Sequence, residues 1–181
     1  MRVYIASSLD GFIAGPGDDL SWLPTDAAPS VDGALDFEAF MAEVGAMLMG
    51  RRTYDVVRSM GEGWPYGDTP VLVATHRELE SDIPTVRAVS GTMDAVLDSA
   101  LEAAGGRDVY VDGGAMVQAA LEIGRVDELI VTLVPVLLGG GVPLFGALSE
   151  RREFVFQHHA SMGSMVQWSA TRKPEQTSDS R

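Results

Sequence analysis

Apolar residues fall along this chain in short, nearly unbroken runs separated by amphipathic stretches. Arg2–Ala6, Ala46–Met49, Val71–Thr75, Asp108–Val111 and Glu128–Val134 have strand length and little polar alternation. That pattern predicts strands covered on both faces, as in a parallel sheet. Between them, Leu35–Val44 sets Phe37, Phe40, Met41 and Val44 at helical spacing, and Asp94–Ala104 and Ala115–Ile123 behave likewise. The alternation predicts an α/β fold of three layers, with a mostly parallel twisted sheet and flanking helices. Near the end, Glu153–Ala160 and Met165–Arg172 read as two strands joined by Ser161-Met162-Gly163, which adds an antiparallel hairpin. The stretch from Gly15 and the segment Pro24–Gly33 read as loops. Residues 1–172 form a single domain on this reading, and 173–181 a polar, frayed tail.

Composition narrows the class. With 181 residues, 46% hydrophobic and 22% charged, the chain fits one ordinary domain with a real core. A net charge of −13 argues against a nucleic-acid partner, and the densest basic groups are only Arg51-Arg52 and Arg151-Arg152. The absence of cysteine excludes disulfides, thiolate nucleophiles and cysteine-based zinc sites. His158 and His159 are adjacent on a strand and face opposite ways, so they cannot chelate one metal together, and no metal site is expected. Asp10 cuts the first apolar run too early for a signal peptide, and no run reaches the roughly 18–20 residues of a membrane span. A soluble, cytoplasmic protein with a small-molecule ligand is the expectation.

Three strand ends carry candidate chemistry. In Leu48-Met49-Gly50-Arg51-Arg52-Thr53-Tyr54 a buried strand ends, Gly50 permits a tight turn, and a helix starts beside a cation and a hydroxyl. Free N–H groups at that helix start would make an anion site, completed by Arg51 and Thr53. In Val109-Tyr110-Val111-Asp112-Gly113-Gly114-Ala115, paired glycines would let a pyrophosphate approach the main chain at the next helix. Thr75-His76-Arg77 follows a third strand and offers phosphate partners. Each is also compatible with an ordinary polar turn. Ligands of parallel sheets bind at the carboxyl ends of strands, so the first two junctions would share one crevice.

Four ordered motifs carry a resemblance. They are Ser8-Leu9-Asp10-Gly11-Phe12-Ile13-Ala14, Met49-Gly50-Arg51-Arg52-Thr53-Tyr54, Val111-Asp112-Gly113-Gly114, and the run from Val126-Asp127-Glu128-Leu129 to Leu144-Phe145. Over residues 2 to 171 the chain resembles the dihydrofolate reductase-like superfamily. Within it, the chain is most similar to stand-alone homologues of the reductase domain of bacterial riboflavin biosynthesis (RibD C-terminal domain). The resemblance implies an NADPH site. Gly50, Arg51 and Thr53 would hold phosphates at one helix start, and Gly113, Gly114 and Ala115 at the other. Thr75 and Arg77 match the adenosine-phosphate side, and Ala6 and Ile13 would flank the nicotinamide.

On the substrate side the resemblance implies Trp22 beside the ring, and Asp36 with Phe40 one helical turn later as acid and aromatic partner. Asp36 would be the catalytic acid; its other reading is a helix-start residue stabilised by the dipole, with Phe37 and Phe40 as core. Asp112, directly before the paired glycines, is a second candidate substrate anchor or a turn-stabilising carboxylate. The leading expectation is an NADPH-dependent reductase of a pterin-like or pyrimidine-like ring. Alternatives are the riboflavin-pathway reductase acting on 5-amino-6-(5-phosphoribosylamino)uracil and a non-catalytic NADPH-binding protein. The dense apolar stretch 128–145 predicts a homodimer interface.

Overall fold

The computed structural model describes residues 1–24, 33–61 and 63–174. Most of the expected Pro24–Gly33 loop and of the C-terminal tail lies outside the described residues. In chain order the elements are β1 (Arg2–Ser8), β2 (Phe12–Ala14), α1 (Phe37–Glu43), β3 (Val44–Gly50), α2 (Arg51–Ser59), β4 (Val71–Ala74) and β5 (Val86–Val89). They continue as α3 (Met93–Ala104), β6 (Asp108–Asp112), α4 (Gly114–Glu122), β7 (Glu128–Val134), β8 (Val142–Pro143), β9 (Phe154–Met162) and β10 (Met165–Arg172).

Eight strands form one sheet in the order β5-β4-β3-β6-β1-β7-β10-β9. The first six run parallel, and β10 and β9 close the far side as an antiparallel hairpin. Period-two alternation divides each buried strand between two cores. Met47, Met49, Val71, Val73, Tyr110 and Ile130 face Phe40 of α1 and Tyr54 of α2. Ala46, Leu48, Leu72, Val109, Val111 and Val131 face α3 and α4, through Val96, Leu97, Val117 and Leu121. The sheet is thus covered on both sides, as the unalternated runs predicted. Registry sets the ends together: Gly50 pairs with Ala74 and Met49 with Asp112. The junctions Gly50–Arg51 and Asp112–Gly114 therefore leave the same edge of the sheet.

Several boundaries differ from expectation, each for a local reason. Helix α1 is shorter than Leu35–Val44 because Asp36 caps its start and Val44 passes directly into β3. Strand β5 was not expected; it is a four-residue edge strand with Arg87 and Ala88 exposed, too weakly patterned to read. Strands β2 and β8 pair only with each other, across about 130 residues of chain, through Phe12 with Pro143 and Ala14 with Val142. Met162 pairs with Met165, so the hairpin turns at Gly163-Ser164 instead of Ser161-Met162-Gly163, and Gly163 takes a φ of 64° there.

The expected interface stretch 128–145 is corrected in part. Strand β7 lies between β1 and β10, and Leu129, Ile130, Val131 and Val134 are buried in this chain's own core, as is Leu144. Leu137 and Phe145 remain exposed, together with Val155, Phe156 and Val166 on the hairpin.

Candidate functional site

A cleft of about 400 Å³ opens where β1 and β6 end and α2 begins. Ile5, Ala6, Ile13, Ala14 and Val142 line it from β1, β2 and β8, Thr53, Val56 and Val57 line it from α2, and Met60 lines it just past that helix. Asp112, Gly113 and Gly114 line it where β6 passes into α4, and Leu20, Leu23, Phe37, Pro65 and Tyr66 complete the lining. Two charged residues, Asp18 and Arg52, also line it, and Arg52 Nε lies 2.9 and 2.8 Å from the two Asp18 carboxylate oxygens.

The four α-helices start differently from one another. Asp36 caps α1 by accepting the Ala39 N–H at 2.9 Å, and Thr92 caps α3 by accepting the Ala95 N–H. Helices α2 and α4 start at Gly50 and Gly113 with no side-chain cap. Their first-turn N–H groups therefore have no side-chain acceptor at the cleft, which is where a phosphate is best held. A Cβ on Gly50 would meet nothing nearer than 3.8 Å, so the approach is open.

Packing also demands both of the paired glycines. Gly113 has φ of 84°, and a Cβ there would overlap Thr53 Oγ1. On Gly114 a Cβ would come 2.7 Å from Pro143 O and 3.0 Å from Val142 Cγ1. Their smallness lets the start of α4 pack closely against α2 and the β2–β8 ribbon.

Asp112 ends β6 on the same face as Tyr110, and its Oδ1 accepts the Gly113 N–H at 2.8 Å. Burial pushes its carboxyl up to about 6, against the opposing pull of that N–H. Tyr66 and Tyr110 are themselves pushed up, first by burial and then by the Asp112 charge. Tyr110 is already committed, donating to Tyr4 O at 2.7 Å.

The expected site residues fall into three groups. Ala6, Ile13, Thr53, Asp112, Gly113 and Gly114 come together on the cleft. Gly50, Arg51, Ala115, Thr75 and Arg77 sit at the neighbouring strand ends and helix starts. Arg51 donates to Asp55 Oδ1 at 2.8 Å and to Glu78 O at 2.9 Å, leaning towards the loop after β4. There Thr75 Oγ1 accepts the Arg77 N–H at 3.0 Å, leaving the Arg77 side chain exposed.

The third group is placed otherwise. Asp36 and Phe40 do not share a face above the cleft: Asp36 is the cap of α1, and Phe40 is 3% exposed, packed against Tyr4 and Tyr110 with the Arg2 guanidinium 4.8 Å above its ring. Phe37 reaches the cleft instead. Trp22 donates to Asp19 O at 3.1 Å, and its neighbours Leu20 and Leu23 line the cleft. Val56, Val57 and Met60 were not anticipated, although their i, i+1, i+4 spacing on a helix starting at Arg51 marks one face.

A mostly parallel sheet with this hairpin, and a cleft at these strand ends, defines a dihydrofolate reductase-like protein. The chain belongs to the RibD C-terminal domain family, whose model matches residues 1–168. That domain is associated with the reductase of the riboflavin pathway. The chain is 30% identical to the uncharacterized protein YwjB of Bacillus subtilis, over 91% of this chain and 93% of that one. A putative riboflavin biosynthesis protein from Shewanella sp. PV-4 is 36% identical, covers 96% of this chain and 98% of its own, and superposes with a TM-score of 0.83. Acinetobacter baumannii RibD, at 19% identity and TM-score 0.64, shares the fold over 95% of this chain and 57% of its own.

Proposed function

We propose that the protein is an NADPH-dependent reductase of a small pterin-like or pyrimidine-like ring. One observation carries the reading: a single cleft joins two uncapped helix starts, a largely apolar lining and a shielded carboxyl. The open cradle at Gly50 and the close α2–α4 approach at Gly113 suit a dinucleotide's phosphates. Gly114 and Ala115 would bind them through main-chain N–H groups, aided by Thr53, with Gly50 leaving the approach open and the Gly113 N–H kept on Asp112. Arg77 and Thr75, with Arg51 beside them, would take the phosphate that distinguishes NADPH from NADH. Ala6 and Ile13 would flank the nicotinamide and exclude water.

Bound NADPH supplies the hydride. With its carboxyl raised to about 6 and Oδ1 fixed by the Gly113 N–H, the protonated form of Asp112 can pass its proton from Oδ2 to a ring nitrogen as an adjacent carbon is reduced. Asp112 is better placed than Asp36, because the Asp36 carboxylate already serves the Ala39 N–H, and Glu38, the third acid expected here, is exposed on α1 and does not line the cleft.

The test is loss of NADPH absorbance with a dihydropteridine and with the ribosylamino-pyrimidine phosphate of riboflavin synthesis. Turnover of the first supports the reading, and turnover of the second alone makes the protein a riboflavin-pathway reductase. Tight NADPH binding with no turnover of any such ring would make it a non-catalytic binder and overturn the proposal.

A further inference from the structure

We infer that Gln167 is a positioning residue of the ring site: through the main chain of Leu35 and the hydroxyl of Tyr4, it holds the Phe37 side chain as the aromatic face against which the substrate ring packs. The inference rests on the reductase reading and adds the residues that orient its substrate.

Gln167 lies in β10, pairs with Thr132 of β7 and is fully buried. Its Oε1 accepts the Leu35 N–H at 2.6 Å. Its Nε2 lies within hydrogen-bonding distance of Tyr4 Oη at 3.0 Å, Leu35 O at 3.2 Å and Thr132 Oγ1 at 3.4 Å. The Tyr4 hydroxyl donates to Leu35 O at 2.7 Å. One side-chain amide thus meets both main-chain groups of Leu35, as a neighbouring strand would. Burying an amide is costly unless such partners are met, and an apolar side chain of similar size would fill the space without them. What the amide adds is a fixed place for Leu35.

Leu35 stands directly before the start of α1, where Asp36 is the cap and Phe37 the first helical residue. The main chain is therefore pinned on the residue before the cap and again at the cap itself. The Phe37 ring is held as well, because the Tyr4 ring lies edge-on to it with centroids 5.2 Å apart. Tyr4 acts twice, with its hydroxyl on Leu35 and its ring on Phe37. Phe37 is nonetheless 39% exposed and lines the cleft, so it presents an aromatic face to what enters. That face is near the proton donor. Phe37 meets Tyr110 edge-to-face at 6.4 Å, and Tyr110 precedes Asp112 on the same face of β6 by two residues, about 7 Å along the strand. A ring packed on Phe37 lies beside the strand end that carries Asp112.

The experiment uses Gln167→Met, which keeps a similar volume and removes the hydrogen bonds. In the full chain labelled with 4-fluorophenylalanine, fluorine NMR reports the six phenylalanines, and Phe37→Leu identifies the Phe37 line. That line is expected to shift and broaden in Gln167→Met. Calorimetry with pterin and with uracil as probes, with and without saturating NADP⁺, should show ring binding about tenfold weaker and NADP⁺ affinity unchanged. In the Phe37→Leu background, Gln167→Met should cost ring binding nothing further. Equal weakening of ring and NADP⁺, or the same loss of ring affinity in both backgrounds, would be the mark of a loosened core and would overturn the inference. So would an unmoved Phe37 line. Tyr4→Phe removes one hydroxyl and keeps its ring on Phe37, so it gives the same readings, with about threefold in affinity, if Gln167→Met does not fold. Failure of the wild type to bind either probe counts against the reductase reading alone, and the fluorine line then decides whether Gln167 holds Phe37.

Discussion

The hydroxyl of Thr53 occupies the place a side chain on Gly113 would need: a Cβ there would overlap Oγ1 and lie 3.1 Å from the Thr53 Cβ. Helix α2 and the turn entering α4 meet closely at this point, and both residues line the cleft.

Gly113→Ala should therefore destabilise the fold twice over. Its φ of 84° costs a non-glycine residue about 1–2 kcal/mol, and overpacking adds about 1–3 kcal/mol. Urea unfolding measures the sum. The double variant Gly113→Ala/Thr53→Ala should regain the steric share and keep the backbone share. A single variant as stable as wild type would contradict the geometry.

Asp112 should make stability depend on pH. Its carboxyl sits at about 6 in the fold and near 3.8 when unfolded, so the folded chain holds the proton more tightly. The resulting stabilisation is full below about pH 4 and lost as pH rises through 6, an effect on the order of 2–3 kcal/mol. Asp112→Asn should flatten that slope. If Asp112 delivers the proton, kcat/KM should fall as pH rises above about 6, and the variant should lose about 10²–10⁴ in turnover. Unchanged turnover would move the proton's source elsewhere.

Asp36 should behave as a cap. Asp36→Ala removes the acceptor for the Ala39 N–H and should cost about 1 kcal/mol, whereas Asp36→Asn keeps a good cap and should be near neutral. Turnover should be retained in the Asn variant. A collapse of turnover there, with stability intact, would return the catalytic role to Asp36.

The sequence showed the frame of the fold better than the walls of its cleft, for physical reasons. Strands β3, β4 and β6 are buried on both faces, so their apolar runs stand out without alignment. The glycine junctions were equally legible, because few residues but glycine fit a φ of 84° at a helix start. Strands β2 and β8 were not, since each exists only through the other. Phe37 and Phe40 were confused because both fit a helical stripe. What separates them is where the helix begins, and Asp36 settles that by capping. The α2 side of the cleft was not legible because Val56, Val57 and Met60 fit the core-facing stripe of any amphipathic helix equally well.

Arg77 should discriminate between cofactors. It is exposed beside Thr75 at the end of β4, and Arg77→Ala should weaken NADPH about tenfold while leaving NADH nearly unchanged. Equal weakening of both would shift the discriminating contact to Arg51.

The expected homodimer now has a narrower footing. With β7 interior, the exposed apolar side chains left to carry it among the described residues include Leu137, Phe145 and Phe156. Light scattering should give twice the 19.3 kDa chain mass, lost on Leu137→Glu or Phe156→Glu with the fold retained. A mass of 19.3 kDa for the wild type would reject the dimer.

Calorimetric titration of NADPH into the wild-type chain, with NADH as the comparison, tests the central claim most directly. The uncapped starts of α2 and α4 and the arginines beside β4 predict saturable binding of one NADPH per chain, at least about tenfold tighter than NADH. Asp112→Asn should leave that affinity in place. No heat of binding from either cofactor, or equal affinity for both, would contradict the account.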